Sequence, residues 1–153
     1  VDREFRAISA LYEAGYPVAK PYHLCTDDTI TGTMFYVMDC VEGRVLWEPT
    51  LPGIEPKERH AIYDAMNDTL ARLHTLDYKA IGLEDFGKPG NYFARQISRW
   101  GGQYKLSETE SIPSMNKLME WLPENIPHDP SESVVHGDYR LDNMILHPTE
   151  AKV

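Results

Sequence analysis

Cysteine is scarce: Cys25 and Cys40 are the only two in 153 residues. Neither has a Cys or His partner at ligand spacing, which counts against a structural zinc site and a disulfide-stapled miniature fold. Each lies in an apolar stretch that reads as strand, so both are expected as reduced core residues. No apolar run approaches the roughly 20 residues needed to cross a bilayer. No charged-then-apolar leader opens the chain either. A cytoplasmic location, without membrane association, is the expectation. Basic excess is missing too: 15 Lys and Arg face 24 Asp and Glu, for a net charge of −9. A chain that binds phosphate backbones needs the opposite balance, so nucleic acid is not expected as a partner. The acidity suits a cationic substrate as well as an ordinary solubilising surface. Repeats and low-complexity segments are absent, and 42% hydrophobic residues fit a globular chain with a core.

Periodicity supplies the elements. Residues 2–14 place Phe5, Ile8, Leu11 and Tyr12 at helical spacing, with Gly15 as a stop and Pro17 beyond it. Two short strands are expected near Tyr22–Cys25 and Met34–Asp39, joined by the polar turn Thr26–Thr33. After a proline-bearing loop, Glu55–Leu76 keeps Ile62, Ala65, Met66, Leu70 and Leu73 on one helical face. A loop with Gly82, Gly87, Pro89 and Gly90 leads to a helix over about Tyr92–Tyr104, with Ile97 and Trp100 inward. A further helix spans about Pro113–Leu122, with Ser111 as candidate cap and Pro123 as terminator. Val134–Val135 and Met144–Leu146 read as short strands on either side of a polar loop. Ala151–Val153 reads as the start of another strand. The chain opens on Val1 inside a helix start, so a piece of a longer protein is expected. A strand-bearing part, 1–43, precedes a mainly helical part, 44–153.

The polar loop holds the chemistry. His136-Gly137-Asp138-Tyr139-Arg140-Leu141-Asp142-Asn143 has the spacing H-x-D-x-x-x-x-N. Phosphoryl transfer asks little covalent chemistry of a protein. It needs a carboxylate to orient the attacking hydroxyl, oxygen ligands for magnesium, and positive charge near the phosphates. Asp138, Asn143 and Arg140 are candidates for those three tasks. A polar turn whose aspartates cap their own backbone would have the same composition. Its flanking apolar runs favour the catalytic alternative.

The loop resembles the signature of the aminoglycoside phosphotransferase and choline kinase-like superfamily. Three earlier segments resemble the same family in the same order. Arg3-Glu4, Leu11 and Pro17-Val18 are similar to the helix whose glutamate pairs with an ATP-binding lysine. Phe35-Tyr36-Val37-Met38-Asp39 through Gly43 is similar to the strand and hinge along which adenine lies, and Leu70-Ala71-Arg72-Leu73-His74 to the long helix of the helical lobe. Asn91-Tyr92-Phe93-Ala94-Arg95-Gln96, with Arg99-Trp100 and Gln103-Tyr104, resembles the kinase-like domain fused to some acyl-CoA dehydrogenases and its free-standing bacterial relatives. A scaffold helix with core aromatics explains that last block equally well.

The resemblance implies an α+β, protein-kinase-like two-lobed fold, truncated at both ends: a partial small lobe, 1–43, and a helical lobe, 44–153. It implies ATP and Mg2+ as cofactors and the hydroxyl of a small molecule as acceptor. Fusion to, or association with, an acyl-CoA dehydrogenase is implied as well. On that resemblance Asp138 and Arg140 are expected to carry catalysis, Asn143 to hold the metal, and Glu4, Met38, Asp39 and Val41 to serve the nucleotide. His136 braces the loop backbone. The glycine-rich turn and lysine would precede Val1 and the main magnesium aspartate would follow Val153, so these residues alone are expected to be inactive. Two other functions stay open on the residues: a metal-dependent phosphohydrolase using His136, Asp138 and Asn143, and a non-catalytic kinase-like module binding nucleotide or a partner. No paired D-x-H or G-N-H motif supports the hydrolase.

Overall fold

The computed structural model describes residues 1–88, 90–128 and 131–153. It divides into two compact units, one of Val1–Phe86 with Ser133–Val153 and one of Gly87–Glu132. The lobe join expected near Glu42–Gly43 falls inside the first unit, and Pro89 lies outside the described residues.

In the first unit, helix α1 (Asp2–Glu13) buries Leu11. Gly15 turns the chain at φ +72°, a conformation that a Cβ disfavours. The chain then enters the antiparallel strands β1 (Pro21–Cys25) and β2 (Phe35–Met38), paired as Leu24 with Tyr36 and Cys25 with Phe35. Asp27 stabilises the turn between them by accepting from the Thr29 N–H at 2.9 Å and the Thr29 hydroxyl at 2.6 Å. Helix α2 (Pro56–Thr75) starts on a proline, whose missing N–H would have had no helical partner anyway. It buries Ile62, Thr69 and Leu73, spaced along one face.

Two apolar clusters hold this unit. Leu51, Ile62, Leu141 and Leu146 form one, and Leu11, Tyr16 and Leu73 the other. The first joins α2 to the polar loop, so burying its aliphatic side chains, at about 1.5–3 kcal/mol each, also fixes that loop. Leu51 is buried despite a φ of +52°. Burial in the cluster offsets a left-handed strain of roughly 1–2 kcal/mol. α1 is tied to the chain after α2: Arg3 donates to the Phe86 carbonyl at 2.8 Å and Arg6 to the Gly82 carbonyl at 2.7 Å. Arg6 also pairs with Asp85.

The second unit is a pair of helices, α3 (Tyr92–Ser107) and α4 (Pro113–Glu124). The two helices lie close at Gly101, where a Cβ would meet Met119 Sδ at an ordinary packing distance of 3.7 Å.

Several expectations are corrected. Val134–Val135 and Ala151–Val153 form no strand, and Met144–Leu146 contributes one isolated bridge, Leu146 to Arg44. The short apolar runs find no neighbouring strand to complete a ladder. They pack into the clusters instead: Val134 lies against the Tyr16 cluster, and Leu146 is buried in the Leu51 cluster. Trp100 is not inward but 58% exposed, with its indole N–H bonded to Gln96 Oε1 at 3.0 Å. Its unit has no buried residue on either helix to receive it. Cys40 is exposed, because β2 stops two residues before it, while Cys25 is buried. Ser111 does not cap α4; Ile112 holds that position, and Ser111 Oγ accepts from Asn116 Nδ2 at 3.2 Å. Pro123 lies inside the last turn of α4, where so near the end it removes only one helical bond. Among the described residues no helix is long and apolar enough to cross a membrane.

Candidate active site

The polar loop begins with a glycine that must be one: Gly137 has φ +84°. That turn lets His136 Nδ1 accept the Asp138 N–H at 3.3 Å. The His136 ring also meets Tyr139 edge-on, with centroids 5.5 Å apart. His136 therefore braces the backbone at Asp138. A short 3-10 helix over Leu141–Asn143 follows, with Leu141 and Met144 buried beneath it. Two apolar anchors thus hold a turn whose polar side chains face out.

Those side chains meet. Asn143 Nδ2 donates to Asp138 Oδ2 at 2.8 Å and to the Asp138 carbonyl at 2.9 Å. This fixes the amide orientation and leaves Asn143 Oδ1 as the outward acceptor. Arg140 Nε lies 3.5 Å from Asp138 Oδ1 and 3.3 Å from Asp142 Oδ1. Because Arg140 and Asp138 are 59% and 68% exposed, their pairing shapes the site more than it stabilises the fold.

Tyr139 points the other way. Its hydroxyl donates to the Met66 carbonyl at 2.5 Å, pinning the loop to α2. Burial, reinforced by the nearby Tyr16 phenol, pushes the Tyr139 hydroxyl up to about 12.

Glu4 lies exposed on α1, beside Tyr36 of β2. Burial first, then the Glu4 charge and a hydrogen bond to it, raise the Tyr36 phenol above its ordinary value. Phe5 packs on the same tyrosine at 5.9 Å between ring centroids. Asp39 gives its N–H to the Lys20 carbonyl at 2.9 Å and accepts the Tyr22 hydroxyl on Oδ1 at 2.5 Å. Its own carbonyl is left outside the ladder. Val41 follows β2 in irregular chain, and its N–H takes part in no backbone bond among the described residues. Met38 and Val41 are each 46% exposed. The edge from Met38 to Val41 therefore carries the Asp39 carbonyl, the Val41 N–H and two half-exposed apolar side chains.

Oxygen donors that fit magnesium are present: Asn143 Oδ1 and the carboxylates of Asp138 and Asp142. Among the described residues no group of three or more His, Cys, Asp or Glu side chains could form a self-sufficient metal cage. The arrangement suits a metal shared with ligand phosphates. A model of the phosphotransferase enzyme family matches residues 1–153. The chain belongs to the phosphotransferase enzyme family.

Individual proteins are similar to it as well. A mouse protein, acyl-CoA dehydrogenase family member 10, is 48% identical over 153 residues, matching all of this chain and 14% of its own length. Human acyl-CoA dehydrogenase family member 11 is 46% identical over 154 residues, again all of this chain and 20% of that protein. The chain thus spans between about one seventh and one fifth of these two relatives. A crystal structure from Ralstonia eutropha JMP134, provisionally described as an aminoglycoside phosphotransferase, is 58% identical with a TM-score of 0.93. The match covers 99% of this chain and 47% of that one. The α+β, protein-kinase-like fold of this phosphotransferase family member follows from that likeness.

Two features of the site had only a faint trace in the sequence. Tyr139 reads as part of a motif, not as a tether to α2. Gly43-Arg44, in the irregular chain that follows β2, shows nothing in the sequence of its contact with residues a hundred positions away. A glycine followed by arginine where strand turns to loop was the one available signal.

Proposed function

We propose that these residues form the hinge and catalytic loop of an ATP- and Mg2+-dependent kinase in the cytoplasm, transferring phosphate to the hydroxyl of a small molecule. The observation that carries this reading is the Asp138–Asn143 pair, in which the Asn143 amide nitrogen donates to the Asp138 carboxylate at 2.8 Å and its amide oxygen stays available as an acceptor. Asp138 orients the acceptor hydroxyl and takes its proton. Arg140 turns its Nη groups to the phosphate oxygens. Asn143 Oδ1, with Asp142 nearby, would hold magnesium, whose charge offsets that of the phosphates. The Asp39 carbonyl and Val41 N–H complement the edge of adenine, and Met38 lies against its face. Glu4 serves the nucleotide from α1, as partner for a lysine. Residues 1–43 then belong to the small lobe and 44–153 to the helical lobe.

The names of the relatives bear on the acceptor. Their link with acyl-CoA dehydrogenases favours a hydroxyacyl thioester or its free hydroxy acid, handled beside a dehydrogenase domain fused to or associated with this one. The Ralstonia likeness keeps an aminoglycoside in view. The test is nucleotide-dependent thermal stabilisation of the natural protein, with and without Mg2+, followed by phosphate transfer from ATP to each acceptor class. Stabilisation that requires ATP and Mg2+ together, with transfer, supports the kinase. Phosphate release from a monoester without ATP supports the hydrolase instead. Stabilisation without any transfer marks a binding module.

A further inference from the structure

Arg44 lies outside the residues that touch nucleotide or acceptor in the kinase reading, yet it makes more long-range polar contacts than any of them. Its backbone pairs with Leu146 in an isolated antiparallel bridge, N–H to carbonyl at 2.8 Å one way and 2.9 Å the other. Its Nε donates to the His147 carbonyl at 3.1 Å and its Nη2 to the Glu150 carbonyl at 2.9 Å. Its Nη1 pairs with Glu58 of α2 at 3.0 Å. With 28% of its side chain exposed, the guanidinium is partly shielded from the solvent that weakens surface pairs. The preceding residue reinforces the contact. A Cβ on Gly43 would stand 2.3 Å from the Leu146 carbonyl oxygen and 2.4 Å from Ile145 Cγ2.

The turn that Arg44 grips is organised from within as well. His147 Nδ1 accepts the Glu150 N–H at 3.2 Å and the His147 N–H donates to the Lys152 carbonyl at 2.7 Å. This turn begins four residues after Asn143. The chain leaving β2 is thus clasped to the chain leaving the polar loop, and both are clasped to the first turn of α2.

We propose that Arg44 is a positioning residue for the catalytic loop. It holds the hinge edge and the Asp138–Asn143 pair in one geometry, so that a nucleotide seated on one presents its phosphates to the other. Only a guanidinium can do this, because it offers a planar fork of donors to three acceptors at once. A lysine can recover the Glu58 pair but leaves the His147 and Glu150 carbonyls unbridged. This role rests on the kinase reading.

The test uses Arg44→Ala, Arg44→Lys and Glu58→Gln in the natural protein. Misplacement of a catalytic group by about 1 Å costs on the order of 10²-fold in rate. Arg44→Ala is expected to lose about that much kcat per folded molecule, with KM for ATP changing far less, and to need more Mg2+ for half-maximal rate. Arg44→Lys should regain most of the lost melting temperature but little of the kcat. Glu58→Gln, which keeps an oxygen acceptor, should stay near wild type. Hydrogen exchange reads the loop without any activity: the Leu146 amide should exchange roughly tenfold faster in Arg44→Ala while the amides around Ile62 keep their protection. An unchanged Leu146 exchange rate overturns the proposal. So does a kcat that recovers fully in Arg44→Lys, or a loss explained by unfolding alone. If the wild type transfers no phosphate, the kinase reading fails separately, and the exchange comparison still decides whether Arg44 holds the loop.

Discussion

Asn143 and Asp138 are locked to each other by two hydrogen bonds from one amide group, to the Asp138 carboxylate at 2.8 Å and to its carbonyl at 2.9 Å. The second bond closes a turn of six residues, 138–143, so the pair is set by the loop's own backbone. In the proposed kinase one residue would serve proton transfer and the other would offer its amide oxygen to the metal.

Asp138→Asn keeps the shape and an acceptor for the Asn143 amide but removes the charge that takes the proton. In the natural protein kcat should fall by roughly 10²–10⁴, the usual range for general acid–base help. Nucleotide affinity should change little. Steady-state kinetics with a separate nucleotide titration check this, and a near-normal kcat would remove the centre of the kinase reading.

Asn143→Ala deletes an oxygen donor and frees the Asp138 carboxylate to rotate. Its defect should be partly relieved by raising Mg2+, which Asp138→Asn should not show. Rate measured across a magnesium titration separates the two variants.

Tyr139 should give a pH signature. Its hydroxyl is raised to about 12 by burial, whereas an unfolded tyrosine titrates near 10. The folded state thus retains the proton longer. This contribution to stability is fully present below about pH 10 and is lost as pH rises towards 12. Melting temperature followed from pH 9 to 12 should fall more steeply in wild type than in Tyr139→Phe. At neutral pH, losing the bond to the Met66 carbonyl should destabilise Tyr139→Phe by about 1 kcal/mol.

Gly43→Ala should destabilise the protein by about 1–3 kcal/mol, the usual range for forcing atoms into a packed site. Its new methyl would stand 2.3 Å from a backbone oxygen, which cannot yield as a flexible side chain would. Denaturant midpoints measure the shift. An unchanged midpoint would show that the hinge and loop are not pressed together.

Trp100→Ala supplies the contrast. The side chain is exposed, so stability should move by no more than about 0.5 kcal/mol in either direction. A loss of several kcal/mol, read by the same denaturant method, would restore the inward placement expected from helical spacing.

Much was legible in the chain itself. The apolar spacing of α1 and α2, the glycine stop at Gly15 and the polar turn at Asp27 are local facts, decided within a few residues by backbone sterics and side-chain size. The H-G-D-Y-R-L-D-N run was legible for a similar reason, since its chemistry-bearing groups lie within eight residues of one another. Long-range packing was not. The apolar runs beside the loop could not reveal that they lack strand partners, because a ladder depends on what lies alongside. Trp100 follows the spacing of a core residue, yet no element of its unit covers it. Arg44 is one charged residue among 39, and only the folded chain brings the His147 and Glu150 carbonyls and the Glu58 carboxylate within its reach. Local sterics and residue chemistry thus determined the helices, the first hairpin and the polar residues gathered in the loop. Tertiary packing alone decided which distant backbone segments hold that loop in place, because those contacts join residues about a hundred positions apart.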